Sequence, residues 1–295
     1  MKVIIAIDGS QQSIAAAHYL RRLSVSQNMS VTALSVIQLP DVALTFSDDL
    51  LYVGFIEDQE KIAVSNFDKV KECFAGNSIA IEHVMIRGHA GYEIVSYAEE
   101  AKSDLIVLGS KGHSTLDRVL LGSVSDYVAT HSHCSVLITR PALSVKKDTD
   151  PLRVVVGYDG SAPAELAVKQ FDQFKWQSNV HVELLVAVPV YHVHQHSLHP
   201  VTVEIDSKKK IEATESAERT IKQLRLKYPD STSHVVEAEH VGQKIVETAK
   251  EGNFDLVMVG DTGRSAIARM LLGSVSRYVV HHATQSVWVA RQRKG

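Results

Sequence analysis

The feature that most constrains this chain is a repeat. Gly109-Ser110-Lys111-Gly112, nine residues, then Gly122-Ser123 returns as Gly260-Asp261-Thr262-Gly263, nine residues, then Gly273-Ser274. The offset is 151 residues, and from Gly109 to Val128 against Gly260 to Val279, 12 of 20 positions are identical. Asp8 and Asp159 keep the same offset, as do Gly91 and Gly242, and His89 and His240. A chain of 295 residues has the length of two domains of about 150. The repeat makes that division specific: a first domain over 1–141, a polar linker over 142–152 and a second domain over 153–295.

Periodicity sets the fold class. Val3 to Ile7 is an unbroken apolar run, the pattern of a strand covered on both faces. Asp8-Gly9-Ser10 interrupts it, and Ile14, Ala17, Leu20 and Leu23 then follow a helical period, with Ser10 placed to cap the helix. Strands are expected at Val31–Ile37, Ile79–Ile86, Leu105–Leu108 and Val136–Thr139. Helices are expected at Leu50–Phe74, Tyr92–Ala101 and from Ser123 to His131. Ile79–Ile86 alternates more than the others, which suits a strand near an edge. Gly88 and Gly91 are read as bracketing a turn. The second half restarts the cycle at Val154, with strands at Val180–Val188, Ser233–Glu237, Leu256–Val259 and Val287–Ala290. Its long helix is expected over Ile205–Lys227 and its third over Val241–Lys250. Strands alternating with helices predict a doubly wound α/β domain with a parallel sheet and helices on both faces.

In such a sheet, ligands bind beyond the carboxyl ends of the strands, where chain order reverses. Two elements of each half fall there: the acid after the first strand, Asp8 or Asp159, and the glycine loop after the fourth. Gly109 and Gly112, or Gly260 and Gly263, would let a ligand reach the main chain. Gly122-Ser123 and Gly273-Ser274 open helices whose free N–H groups and positive dipole end suit an anion. For a single copy, a tight turn and an N-cap explain the same residues equally well. Two copies at one spacing, each with its strand-end acid, favour a ligand: a nucleotide held from base to phosphates. Neither a P-loop string nor a dinucleotide G-x-G-x-x-G is present.

The pattern G-x2-G-x9-G-[ST], followed by Val124-Ser125 or Val275-Ser276, resembles the nucleotide-binding signature of the universal stress protein family. Asp-Gly-Ser after the first strand is similar to that family's opening motif, and the resemblance spans nearly the whole chain as two tandem copies. It implies a five-stranded parallel sheet of order 3-2-1-4-5 in each half. It also implies an adenine nucleotide such as ATP as ligand, with Mg²⁺ a possible companion, and a pairing of the two halves through their last strands, or of two chains. Carried over, Asp8, Gly109, Gly112, Gly122, Ser123 and Val124 become nucleotide contacts in the first half. Asp159, Gly260, Gly263, Gly273, Ser274 and Val275 do so in the second. Val36 and Val186, near the ends of the second strands, are candidates for touching the base. The implied role is an ATP-binding regulator of a stress response, read by a protein partner of unknown identity.

The copies differ in charge. Ser110-Lys111 becomes Asp261-Thr262. A lysine would help to hold phosphates and an aspartate would repel them unless a cation lies between, so the first site is expected to bind the tighter. Lys111 reads equally as a solvated loop residue. Arg118 and Arg269 read as phosphate contacts or as surface ion pairs.

Other features carry weaker readings. His192, His194, His196 and His199 cluster in the second half alone, and alternating histidines can hold a transition metal; a solvated loop is the plain alternative. That leaves a metal-linked sensor as one alternative function. A slow ATPase or nucleotidyl-transferring enzyme is another, although no nucleophile or base can be assigned beside the phosphates. The net charge of −3 is spread over mixed acids and bases, which argues against nucleic acid and against an anionic membrane surface. No apolar run approaches the ~20 residues of a membrane span. Cys73 and Cys134 lack metal-ligand spacing and fit a reducing compartment, and the N-terminus lacks the cleavage region of a signal peptide. A cytoplasmic protein is expected.

Overall fold

The computed structural model describes residues 1–23, 29–38, 49–76, 79–112, 121–141, 150–176, 179–189, 200–262 and 272–293. The chain divides into two compact units. One comprises Met1–Pro141 with Lys175–Gln177 and Gln292–Gly295; the other comprises Ala142–Phe174 and Ser178–Arg291.

The first unit runs β1 (Lys2–Ala6), α1 (Gln11–Leu23), β2 (Ser30–Ile37), α2 (Asp49–Cys73), β3 (Ala80–Arg87), α3 (Ala90–Glu100), β4 (Leu105–Gly109), α4 (Ser123–His131) and β5 (Ser135–Thr139). Its strands lie in the order β3-β2-β1-β4-β5. Every pairing is parallel, with Val3 opposite both Val31 and Leu105, and Leu105 opposite Ser135. The second unit repeats this with β6 (Leu152–Gly157), α5 (Ala162–Gln173), β7 (Val180–Pro189), α6 (Pro200–Leu224), β8 (Thr232–Ala238), α7 (Val241–Glu251), β9 (Leu256–Gly260), α8 (Ser274–His282) and β10 (Ser286–Ala290). Its strand order, β8-β7-β6-β9-β10, is again parallel. Each unit thus has the doubly wound order 3-2-1-4-5.

The apolar runs became the central strands for the expected reason. Val3, Ile4 and Ile5 are essentially inaccessible, as are Val154, Val155 and Val156, because helices cover both faces. The alternating β3 is the edge strand, and its burial alternates with it. Helix α6 begins at Pro200, five residues before the periodic apolar positions, and ends at Leu224.

Gly91 differs from its expected place in a turn: it lies in the first turn of α3. A β-carbon there would stand 2.9 Å from the Tyr127 ring, and one on Gly242 would stand 2.8 Å from Tyr278 Cβ. The repeated glycine lets α3 pack closely on α4, and α7 on α8. Each tyrosine in turn stacks on a histidine one turn later, Tyr127 on His131 at 4.1 Å and Tyr278 on His282 at 4.0 Å between ring centroids. Those histidines place a ring nitrogen within 2.9 Å and 2.8 Å of the tyrosine carbonyl oxygens, so they finish their helices.

Candidate nucleotide site

The Asp-Gly-Ser segment makes one turn in both units. Ser10 N–H donates to Asp8 Oδ1 and Ser161 N–H to Asp159 Oδ1, each at 2.9 Å. The glycine between is left-handed, with φ of 81° at Gly9 and 71° at Gly160, which is why a residue without a side chain stands there. The serine caps the next helix: Ser13 N–H donates to Ser10 Oγ at 3.2 Å and Ala164 N–H to Ser161 Oγ at 3.4 Å. The acid is therefore held at the strand end by the turn that it helps to form.

The glycine loop leaves the neighbouring strand on the same side. In the first unit, Gly112 lies against the acid: a β-carbon on Gly112 would stand 2.6 Å from Asp8 Oδ2. Ser110 N–H donates to Thr139 O at 2.9 Å and its carbonyl accepts from Gly122 N–H at 2.8 Å, so the two ends of the loop are tied together. The second unit repeats the clasp, Asp261 N–H to Ala290 O at 3.1 Å and Gly273 N–H to Asp261 O at 2.8 Å. Helices α4 and α8 then open with Gly122 and Gly273 at the N-cap, neither with a side-chain cap bond. Ser123 and Ser274 stand at the first helical position and are exposed. Their N-terminal N–H groups face the strand-end side with the positive end of the helix dipole.

The glycines of the motif differ in what requires them. A β-carbon on Gly109 would stand 2.8 Å from Gln12 Cβ and 3.1 Å from its carbonyl carbon; on Gly260 it would meet the Pro163 backbone at 2.6 Å. These two are packing glycines that let α1 and α5 approach the strand ends. Gly112 makes room for the Asp8 carboxylate. Gly122 has an ordinary extended backbone, φ −72° and ψ 154°. Among the described residues its nearest neighbours to a new β-carbon would be 3.4 Å away, at Lys111 Cα and Ser110 O. Nothing described in the protein itself demands a glycine at 122.

In the second unit parts of these elements line a shallow cleft that is open to solvent. Asp159, Gly260, Thr262, Val275 and Ala187 line it, with Tyr158 and Leu185 deeper. Val186, expected at the base, is not among the lining residues: it is 1% exposed, on the opposite face of β7. The register explains this. Leu34 pairs with Ala6 and Leu185 with Gly157, so the counterpart of Val36 is Ala187. A one-residue step along a strand changes the face. Gly263, Arg118, Arg269, His192, His194, His196 and His199 lie outside the described residues. His89 and His240 occupy the N-cap positions of α3 and α7 without a side-chain cap bond.

Two features escaped the sequence reading. Ser125 Oγ–H donates to the Gly109 carbonyl at 2.8 Å, and Ser276 Oγ–H to the Gly260 carbonyl at 2.6 Å. Each bond ties a helix N-terminus to the strand-end glycine; the identity of Val-Ser in both copies was the available signal. Ser125→Ala is expected to cost about 1–2 kcal/mol, because a buried carbonyl loses its partner. An unchanged urea midpoint would show that the bond holds nothing. The other is Tyr158, where the first unit has Ile7. Its hydroxyl bonds Glu165, Ser216 at 2.8 Å and Thr220 at 3.2 Å, linking α5 and α6 beside the cleft. Burial, together with the Glu165 carboxylate, raises its pKa.

The fold thus defines a tandem doubly wound protein with the same glycine motif at the strand ends of each half. The chain belongs to the universal stress protein family, whose model matches residues 1–140 and again 152–291. Universal stress protein Rv2005c of Mycobacterium tuberculosis is 32% identical across 98% of this chain and 97% of its own length. The crystal structure of a universal stress protein from Archaeoglobus fulgidus covers 98% of both chains with a TM-score of 0.66, at 20% identity. A universal stress protein crystallised in complex with cAMP is 26% identical over 48% of this chain, with a TM-score of 0.34. Among the described residues, no helix is long and apolar enough to cross a membrane, and no group of three or more His, Cys, Asp or Glu is placed to hold a metal ion.

Proposed function

We propose that the protein binds an adenine nucleotide, ATP foremost, at a site in each half, and acts as a stress-response regulator whose nucleotide state a protein partner reads. The observation that carries this is Gly122. Neither its φ nor a described neighbour requires a glycine, so the missing side chain leaves room for something outside the chain at a helix N-terminus. Phosphate groups suit the N–H groups of that terminus, and Asp8 or Asp159 suits the hydroxyl or amine donors of an adenosine. On this reading the nucleotide contacts are Asp8, Val36, Gly109 through its main chain, Gly112, Gly122, Ser123 and Val124 in the first half. Asp159, Ala187, Gly260, Gly263, Gly273, Ser274 and Val275 serve the second. Residues 1–141 and 153–295 then act as two nucleotide-binding domains of one cytoplasmic chain, paired with each other.

Calorimetry with ATP, ADP and AMP, with and without Mg²⁺, tests the reading. Two binding events per chain are expected, and a single-chain mass in sedimentation accords with pairing inside one molecule rather than between two. Failure of every adenine nucleotide to bind would remove the proposal. Steady phosphate release lost on Asp8→Asn would favour an enzyme over a regulator.

A further inference from the structure

The two glycine loops differ in charge at their described positions, Ser110-Lys111 against Asp261-Thr262. In the second unit Arg291, 7% exposed in its side chain, lies with Nε 3.6 Å from Asp261 Oδ2. Thr262 Oγ1–H also donates to Asp261, at 3.2 Å. The loop's carboxylate and the neighbouring guanidinium therefore neutralise each other beside the cleft. In the first unit the counterpart of Asp261 is Ser110, which has no charge, and the counterpart of Arg291 is Arg140. Arg140 is buried, and burial pushes its guanidinium down to about 10, still protonated at neutral pH. Directly after Ser110 comes Lys111, where the second unit has Thr262. Lys111 is 8% exposed, and its Nζ is buried without a hydrogen-bond acceptor among the described residues.

A buried ammonium without an acceptor is costly, and chains rarely retain one unless a ligand supplies the missing anion. Lys111 sits inside the glycine motif, with its Cα 3.4 Å from where a side chain on Gly122 would begin. Its backbone thus adjoins the N-cap of α4, a second feature that favours an anion at the same place.

We infer that the two sites take different ligand classes: the first selects nucleotides by their phosphate chain, with Lys111 as the specificity-determining residue, and the second takes an adenosine group with little contribution from the phosphates. This rests on the nucleotide-binding reading above. A polyphosphate entering the first site gives Lys111 the acceptors that the described residues do not supply. The same chain entering the second site meets Thr262 at the position of Lys111, and beside it the Asp261 carboxylate paired with Arg291.

The test is titration of the full chain with ATP and with adenosine, without Mg²⁺, in the natural protein and in Lys111→Met, Lys111→Arg and Asp261→Ser. ATP is expected to show two affinities. Lys111→Met should weaken the tighter one roughly tenfold, the effect of one charge-assisted hydrogen bond, and leave adenosine within about twofold. Lys111→Arg keeps the charge and should retain most of the ATP preference. Asp261→Ser should tighten the weaker ATP site. Equal losses in Met and Arg would make Lys111 a packing residue and overturn the inference. So would parallel losses of ATP and adenosine, or one ratio of ATP to adenosine affinity at both sites. Those results leave nucleotide binding intact and so differ from a failure to bind any adenine compound, which overturns both readings.

Discussion

Gly122→Val is expected to abolish ATP binding in the first half while the protein stays folded. The local geometry allows both. With φ −72° and ψ 154°, position 122 is in the extended region that a β-branched residue prefers. The nearest described atoms to a new β-carbon, at 3.4 Å, are within the range of normal contact. Replacing an N-cap glycine by valine costs about 1 kcal/mol of helix stability, small against a total of ~5–15 kcal/mol. The side chain, however, would stand at the N-terminus of α4, where on the proposed reading phosphate oxygens come within hydrogen-bond distance of the backbone. At least about a hundredfold loss of affinity follows from excluding that approach, near 2.7 kcal/mol. Calorimetry should then count one ATP event instead of two, with far-UV circular dichroism unchanged. A folded variant that still bound two ATP molecules would mean that Gly122 faces no ligand.

That contrast shows how much of the site could be read from residues alone. The strand-end positions of Asp8, Gly109 and Gly122 were legible because apolar periodicity fixes where each strand stops, and the parallel order brings those ends to one side. What each glycine is for was not legible. Gly109 answers to Gln12, nearly a hundred residues away in the chain, Gly260 to Pro163, and Gly91 to Tyr127. Such neighbours leave no local trace in the sequence. The cleft-lining residue of β7 is Ala187 rather than Val186 for a related reason: β7 is apolar on both faces, so no alternation marks which residue faces the cleft. The lysine in the loop was visible as a charge, but its burial was not, since a lysine among glycines and serines looks solvated. The edge strand β3 was read correctly because one face meets water and the sequence alternates accordingly.

Gly260→Ala is expected to damage stability without any ligand present, in contrast to position 122. Its β-carbon would stand 2.6 Å from the carbonyl carbon and Cβ of Pro163 and 2.7 Å from the Pro163 oxygen. Separations that short cannot be relieved by turning a side chain, because two of the three atoms are backbone. Pro163 is in the first turn of α5, with its φ fixed by the ring, and the helix buries Ala164, Ala167, Val168 and Phe171 against the sheet. Relief therefore needs the helix to move off β9 as a body, which opens that packing. A cost of about 3 kcal/mol, at the upper end of overpacking effects, is expected. Gly109→Ala should cost less, about 1–2 kcal/mol, since the closest atom there is the Gln12 side chain at 2.8 Å and the backbone stands at 3.1 Å. Gly122→Ala should cost least. Urea denaturation of the three alanine variants, without nucleotide, reads this order directly. Equal midpoints for Gly260→Ala and Gly122→Ala would refute the division of the motif into packing glycines and a ligand glycine, and with it the observation on which nucleotide binding rests.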